Sequence, residues 1–373
     1  MTWLARLRVG GIVGVVILAG IGSVLLAPRG GETPAARGAD QGQVIEALVA
    51  SLDDGPNGAI TGPWDLELPR DYGAHPDAPA ETWSVVAHLT DPQGRPLAVN
   101  LVLTRVGRTH GGDAEATPWG PGPVHIAQAT INAADPGLRA SEERISRARG
   151  AAGHDVAAGE IWLDDWTLEY GTDALDLTLR LSDQLLRLRL EPRKTPLAPT
   201  GEDTAGPRGF AIPRLAVSGS LETAGTVLEL GGTAWLDRLW GEIPLPGGPL
   251  VRDRLVLHLS DGAELSLLRT RRRDGRGIAT VDGVLVGPDG GATLLEDGAV
   301  DLTSGPLQED SAMPGSWRIA GEGLDLRVTL LGASGQEGFA LPVRVGQLEV
   351  EGTRQGMPVE GAGTVLLSGG DGT

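Results

Sequence analysis

The chain has 373 residues, with 57 Gly, 26 Pro and no Cys, which is length enough for two ordinary domains. An apolar fraction of 40%, spread along the sequence, excludes a polytopic membrane protein and a wholly disordered chain. The 31 basic and 49 acidic residues give a net charge of −18, which disfavours nucleic acid or anionic lipid as a partner of the main body, and the lack of Cys removes disulfides, thiolate metal sites and catalytic thiols.

Residues 9–27 are an uncharged apolar run. At about 1.5 Å per residue it just crosses a hydrocarbon core of roughly 30 Å. Arg6 and Arg8 precede it and no acidic residue occurs before Glu32, so residues 1–8 are expected to stay cytoplasmic and the body to lie outside an inner membrane. A cleaved signal, leaving a soluble periplasmic protein, is the rival. Its apolar part is usually about 7–15 residues and ends at a small-x-small site, which Leu26-Ala27-Pro28-Arg29 matches poorly. Residues 28–60 read as a tether with a short amphipathic segment at 44–52.

From Glu81 onward the dominant period is two. Leu177, Leu179 and Leu181 alternate with Asp176, Thr178 and Arg180; Leu326, Val328 and Leu330 alternate with Arg327 and Thr329. This is the pattern of antiparallel strands with one buried and one wet face. Turn signals separate the runs at Asp91-Pro92-Gln93-Gly94, Asp261-Gly262, Asp274-Gly275, Asp289-Gly290 and Arg354-Gln355-Gly356. The spacing predicts an all-β body of roughly sixteen strands in two up-and-down barrels or sandwiches. The Pro- and Gly-rich segment 192–213 places the boundary between domains 61–205 and 206–373.

No nucleophile elbow, zinc-protease motif, phosphate loop or dinucleotide fingerprint is present. The six histidines show no close ligand spacing, so neither metal nor cofactor is expected. What remains are carboxylates among tryptophans. Strand spacing puts Trp162, Asp164 and Trp166 on one face, where Asp164 is either a proton donor raised by apolar surroundings or a hydrogen-bonded lid residue. In Trp235-Leu236-Asp237-Arg238-Leu239-Trp240, Asp237 next to Arg238 reads as a structural ion pair or a restrained acid. Arg271-Arg272-Arg273 falls at a turn between strands, where it solvates a hairpin or anchors a membrane or partner.

Five segments in order resemble the AttH-like and carotenoid 1,2-hydratase family of double lipocalin-like proteins. They are Pro69-Arg70-Asp71-Tyr72-Gly73-Ala74-His75-Pro76 with Glu81-Thr82-Trp83; Val124-His125-Ile126-Ala127; Trp162-Leu163-Asp164-Asp165-Trp166; Ile212-Pro213-Arg214-Leu215; and Ala234-Trp235-Leu236-Asp237-Arg238-Leu239-Trp240-Gly241. The resemblance implies two lipocalin-like β-barrels with apolar ligand space, and, in some members, cofactor-free hydration of an isoprenoid double bond. The family's Trp-Asp-Trp-Phe segment falls on Arg252-Asp253-Arg254-Leu255, so the acid is kept while both flanking tryptophans are arginines. Alkene hydration needs a neutral acid and π-faces for the cation, and an Asp between two Arg is held ionised.

The expectation is therefore a membrane-tethered, non-catalytic lipocalin-like protein that binds an apolar lipid or isoprenoid-like molecule, or serves an envelope ABC transporter permease. Trp83, His125, Asp164, Trp166, Trp235 and Trp240 are the expected ligand contacts. The alternatives are a hydratase with Asp253 or Asp237 as acid, and a scaffold with filled barrels.

Overall fold

The computed structural model describes residues 64–368 except 108–122, 148–149, 199–206, 242–249, 309–310, 312, 335–338 and 340–342. The expected segments at 1–8, 9–27 and 28–60 lie outside the described residues. Among the described residues no helix is long and apolar enough to cross a membrane.

Two antiparallel sheets curl into nearly closed barrels, as expected of an all-β, lipocalin-like body. The first holds β1 (Ala80–Thr90), β2 (Pro96–Val106), β3 (Val124–Ala133), β4 (Ala140–Ser146), β5 (Ala152–Asp155), β6 (Glu160–Leu163), β7 (Trp166–Tyr170), β8 (Leu175–Leu181), β9 (Gln184–Pro192), β10 (Arg208–Thr223) and β11 (Thr226–Gly241). The second holds β12 (Leu250–Leu259), β13 (Glu264–Arg272), β14 (Thr280–Val286), β15 (Ala292–Leu295), β16 (Val300–Ser304), β17 (Ser316–Gly321), β18 (Leu324–Ser334), β19 (Val343–Arg354) and β20 (Met357–Ser368). These exceed the expected sixteen partly because β5, β6 and β15 have four residues each, too few for alternation to show in sequence.

Each barrel is a meander whose first and last strands pair, β1 with β11 and β12 with β20, leaving the gap between consecutive strands β4 and β5 or β15 and β16. The turn signals fall between paired strands, as at Gln355-Gly356, where Arg354 faces Met357 across a two-residue turn with positive φ at both central positions. Arg144 of β4 spans the gap in the first barrel. It donates to the carbonyl of Arg180 at 3.0 Å and to the Asp165 carboxylate, and its guanidinium lies 4.3 Å over the Trp166 ring.

The sheet boundary differs from the expected domain boundary at 205/206. β10 pairs with β9 along eight positions and β11 pairs with β1, so the first sheet runs through Gly241. The Pro- and Gly-rich segment therefore joins neighbouring strands of one sheet, its last six residues, 208–213, being the start of β10, because proline and glycine accompany a connection within a sheet as readily as a linker between domains.

The barrels pack along a seam in which Ala80, Val86, Trp235 and Leu239 meet Val256, Val284, Val345 and Leu366. Polar links cross it. Asn132 Nδ2 donates to the Val345 carbonyl at 3.0 Å, and Lys194, between β9 and β10, reaches the second barrel. Its ammonium donates to Glu264 at 2.6 Å and to the carbonyls of Gly262 and Gly287 at 2.7 and 2.6 Å, so all three protons are satisfied.

Candidate functional site

Two places gather the chemistry-bearing residues, one on each face of strands β1 and β11. Alternation along β1 sends Glu81, Trp83, Val85 and Ala87 into the first barrel and Ser84, Val86 and His88 to the seam. The register Trp83↔Arg238 and Ser84↔Asp237 then sends Arg238 and Trp240 inward and Trp235 and Asp237 to the seam.

Inside the first barrel, Glu81, Arg105 and His125 occupy one row across β1, β2 and β3. Glu81 is fully buried between two arginines: Arg105 Nε donates to it at 2.7 Å, Arg238 donates from the other side, and the His75 backbone N–H adds a third bond at 2.7 Å. Burial alone would raise the carboxyl, but Arg238, the His75 contacts and Arg105 outweigh it and hold it well below the usual range. Trp83 donates its indole N–H to the Tyr72 carbonyl at 2.8 Å, and Arg238 sits 3.9 Å over its ring. Trp240 stacks on His75 with centroids 3.9 Å apart and meets Trp64 edge-on at 5.0 Å. Asp71 accepts from the Glu67 backbone and approaches His75 Nε2 at 3.3 Å. His125 is buried in the same row. Burial, then the Arg105 charge, lower its pKa to about 4, and its Nδ1 has no partner among the described residues.

On the seam, a cleft of about 240 Å³ opens between the barrels, with His88 and His258 among its lining residues. The two imidazoles meet at 2.9 Å through their Nδ1 atoms. His258 Nε2 faces the Pro213 carbonyl at 3.0 Å, an acceptor only, so that nitrogen carries hydrogen. His258 Nδ1 is then the acceptor, His88 Nδ1 the donor, and His88 Nε2 accepts the Thr364 hydroxyl at 2.9 Å. Burial lowers His88 to about 3 and, with His88 beside it, holds His258 well below the usual range, so both rings are neutral. Ala362 of β20 faces His258 as Thr233 of β11 faces His88, and both of these small residues line the cleft. Gly232 and Gly361 sit at equivalent places, where a Cβ would strike the carbonyl of His88 or His258. Arg214, also lining the cleft, ties its guanidinium to Glu264. Burial raises the Glu264 pKa against the pull of Lys194 and Arg214.

The expected site residues divide accordingly. Trp83, Trp240 and His125 share the first barrel's interior. Trp235 is buried, but on the opposite face, so the three tryptophans 83, 235 and 240 do not line one cavity. Trp166 is core, its indole bonded to the Arg180 carbonyl at 2.7 Å. Asp164 does not share its face or that of Trp162: it is an exposed turn residue with φ 54°, because the strand ends at Leu163 and reverses.

Asp237 pairs across the seam, rather than with Arg238, accepting from Arg254 Nη2 at 3.0 Å and from Trp235 Nε1 at 2.7 Å. Asp253 is not clasped by Arg252 and Arg254, which point to the opposite face of β12; Arg271 of β13 approaches it at 3.4 Å. Glu81, Arg105 and the histidine pair escaped the sequence reading. The pair had a signal: His88-Leu89-Thr90-Asp91 recurs as His258-Leu259-Ser260-Asp261. No group of His, Cys, Asp and Glu able to hold a metal occurs among the described residues.

The family model of AttH-like proteins matches residues 59–367. Among solved structures, an AttH-type protein of Nitrosomonas europaea is similar with a TM-score of 0.66 and 25% identity, covering 82% of this chain and 97% of that one. Kievitone hydratase of Nectria haematococca has a TM-score of 0.59 at 13% identity, covering 81% and 92%, a likeness of fold alone. No curated protein matches significantly.

Proposed function

The chain belongs to the AttH-like family, and on that premise we propose that it binds a small, largely apolar molecule in the cleft between its barrels and performs no chemistry on it. The observation that carries this reading is the cleft itself, with Leu89, Leu97 and Leu259 in its walls and a neutral histidine pair beside them. Its volume is below the ~300–1,000 Å³ of drug-sized sites, which suits a small ligand or one end of a longer chain. The apolar run at 9–27 supports carriage of this body on the outer side of a cytoplasmic membrane.

Hydration of an alkene is disfavoured by the partners of the candidate acids. An acid catalyst must hold a proton near neutral pH, yet the carboxyl of Glu81 is held well below the usual range, and the carboxylates of Asp237 and Asp253 are engaged by Arg254 and Arg271 rather than facing open ligand space. Incubation with acyclic isoprenoid alkenes should give no tertiary alcohol; product that disappears in Asp253→Asn or Asp237→Asn would reinstate the hydratase.

Native mass spectrometry of the full chain from its own membrane tests binding. A small molecule should accompany the wild type and be lost from Ala362→Phe, which fills the cleft, while the urea midpoint holds. Retention in that variant overturns the cleft assignment, absence from both favours a scaffold, and a co-purified permease would add the transporter role.

A further inference from the structure

The hairpin joining β13 to β14 is unlike the rest of the surface. Residues 269–278 carry Arg269, Arg271, Arg272, Arg273 and Arg276 against the single acid Asp274, in a chain of net charge −18. Asp274 is held by Arg272 at 2.7 Å, and Asp253 by Arg271, whereas Arg276 is exposed at the tip. Two residues on, Ile278 is 94% exposed. An aliphatic side chain bare to solvent among arginines is the composition of an interfacial membrane contact.

The hairpin also lies at a particular end of the molecule. β1 and β12 run side by side with His88 against His258 and Arg254 against Asp237 on the partner strand of Ser84, so both strands start at the end far from the cleft. Arg272 pairs with Leu250, the first residue of β12. Trp64, where the described chain enters, packs on Trp240 at this same end. The described chain therefore begins, at Trp64, on the end where the arginine hairpin projects. The overall negative charge does not oppose a local contact, since charges beyond about 8–10 Å are screened at physiological salt. Asp282 and Asp297 lie at the foot of the hairpin, where Asp297 accepts from the Val281 backbone, not at its tip.

We propose that the β13–β14 hairpin rests on an anionic lipid surface, with Ile278 in the interface and Arg273 and Arg276 over the headgroups. This fixes the cleft on the face turned away from the bilayer. The proposal draws on the membrane attachment of residues 9–27 for geometry, and its test separates the two.

The absence of cysteine makes Ile278→Cys uniquely labelable with an environment-sensitive fluorophore. The full chain is reconstituted into vesicles of phosphatidylcholine alone or of equal parts phosphatidylcholine and phosphatidylglycerol. The label should shift to the blue and be quenched by brominated lipid only with phosphatidylglycerol, and 0.5 M salt should reverse this. Each basic contact is worth roughly fivefold in partitioning, so Arg273→Glu with Arg276→Glu should abolish the shift. A label at Met357→Cys, which is 67% exposed in the β19–β20 turn at the cleft end, should stay aqueous. A chain that floats with the vesicles while the 278 label stays aqueous overturns the hairpin contact and leaves the tether standing; a shift insensitive to lipid charge or charge reversal also overturns it. Loss of flotation in both lipids removes both.

Discussion

At the entrance to the first barrel, β1 turns Glu81 and Trp83 inward; at the matching places in the second, 170 residues later, β12 presents Val251 and Asp253. The partner row keeps an arginine in both, Arg105 opposite Glu81 and Arg271 opposite Val251. The first barrel adds Arg238 beneath Trp83 and closes over a fully buried Glu81, whereas the second leaves the Arg271 side chain 27% exposed and fills its interior with aliphatic residues and Trp317. The same scaffold thus tolerates a charged plug only where each charge is hydrogen-bonded from several sides. The barrel that carries it should be the one sensitive to losing a single partner.

Acid should separate the regions most strongly. His88, His258 and His125 are buried neutral in the seam and the first barrel, and among the described residues no histidine lies in the second barrel's interior. Unfolded histidine takes a proton near pH 6.5, whereas folded His88 does so only near 3 and His125 near 4. The unfolded state binds more protons in that window, so stability falls as the pH drops below about 6.5, by on the order of 1 kcal/mol per pH unit from each ring. Unfolding free energies from urea titrations followed by far-UV circular dichroism at pH 7.5 and 5 should differ by several kcal/mol, with the midpoint lower at pH 5 and the seam and first barrel yielding before the second. Equal midpoints would mean the rings take up protons without unfolding.

Glu81→Ala leaves Arg105 and Arg238 facing each other without a counter-charge and should cost about 3–5 kcal/mol. Asp253→Ala should cost about 1–2 kcal/mol, since Arg271 can turn to water. Equal losses in the two variants would erase the distinction between plugs. Trp235→Ala removes a ring that is 1% exposed and bonded to Asp237, for about 3–5 kcal/mol. Because it sits on the seam, the single urea transition should broaden or split; an unchanged midpoint would show that the barrels stand without it. A change as small as that for Asp253→Ala, about 1–2 kcal/mol, is expected for Lys194→Arg, whose planar fork cannot reach three acceptors arranged around one nitrogen. Thermal unfolding that matches the wild type would show that the seam does not depend on this staple.

Strand alternation and glycine turns were enough to read the barrels, because each hydrophobic face is a local pattern. The sheet boundary was not legible, since whether β10 follows β9 or opens a new sheet depends on pairing 20 or more residues away. The tryptophans were recognised as important but not assigned to faces: Trp235 and Trp240 are five apart, so strand parity sends them to opposite sides, and only the register with β1 says which side is the seam. Nothing local marks Glu81 as a buried acid, because Arg238, its neutralising partner, lies 157 residues further on. The histidine pair was written in the repeated His-Leu-Thr/Ser-Asp, a signal that spacing rules for metal ligands are not built to detect.

The chain's one lysine is Lys194, with a side chain only 7% exposed and its ammonium bonded to three oxygens of the other barrel. An acylating reagent needs a free, unprotonated amine, so the folded body offers it none, and only the amino terminus competes. The rate at which Lys194 becomes acylated therefore measures how often the two barrels part, a native reporter of the seam that needs no engineered residue.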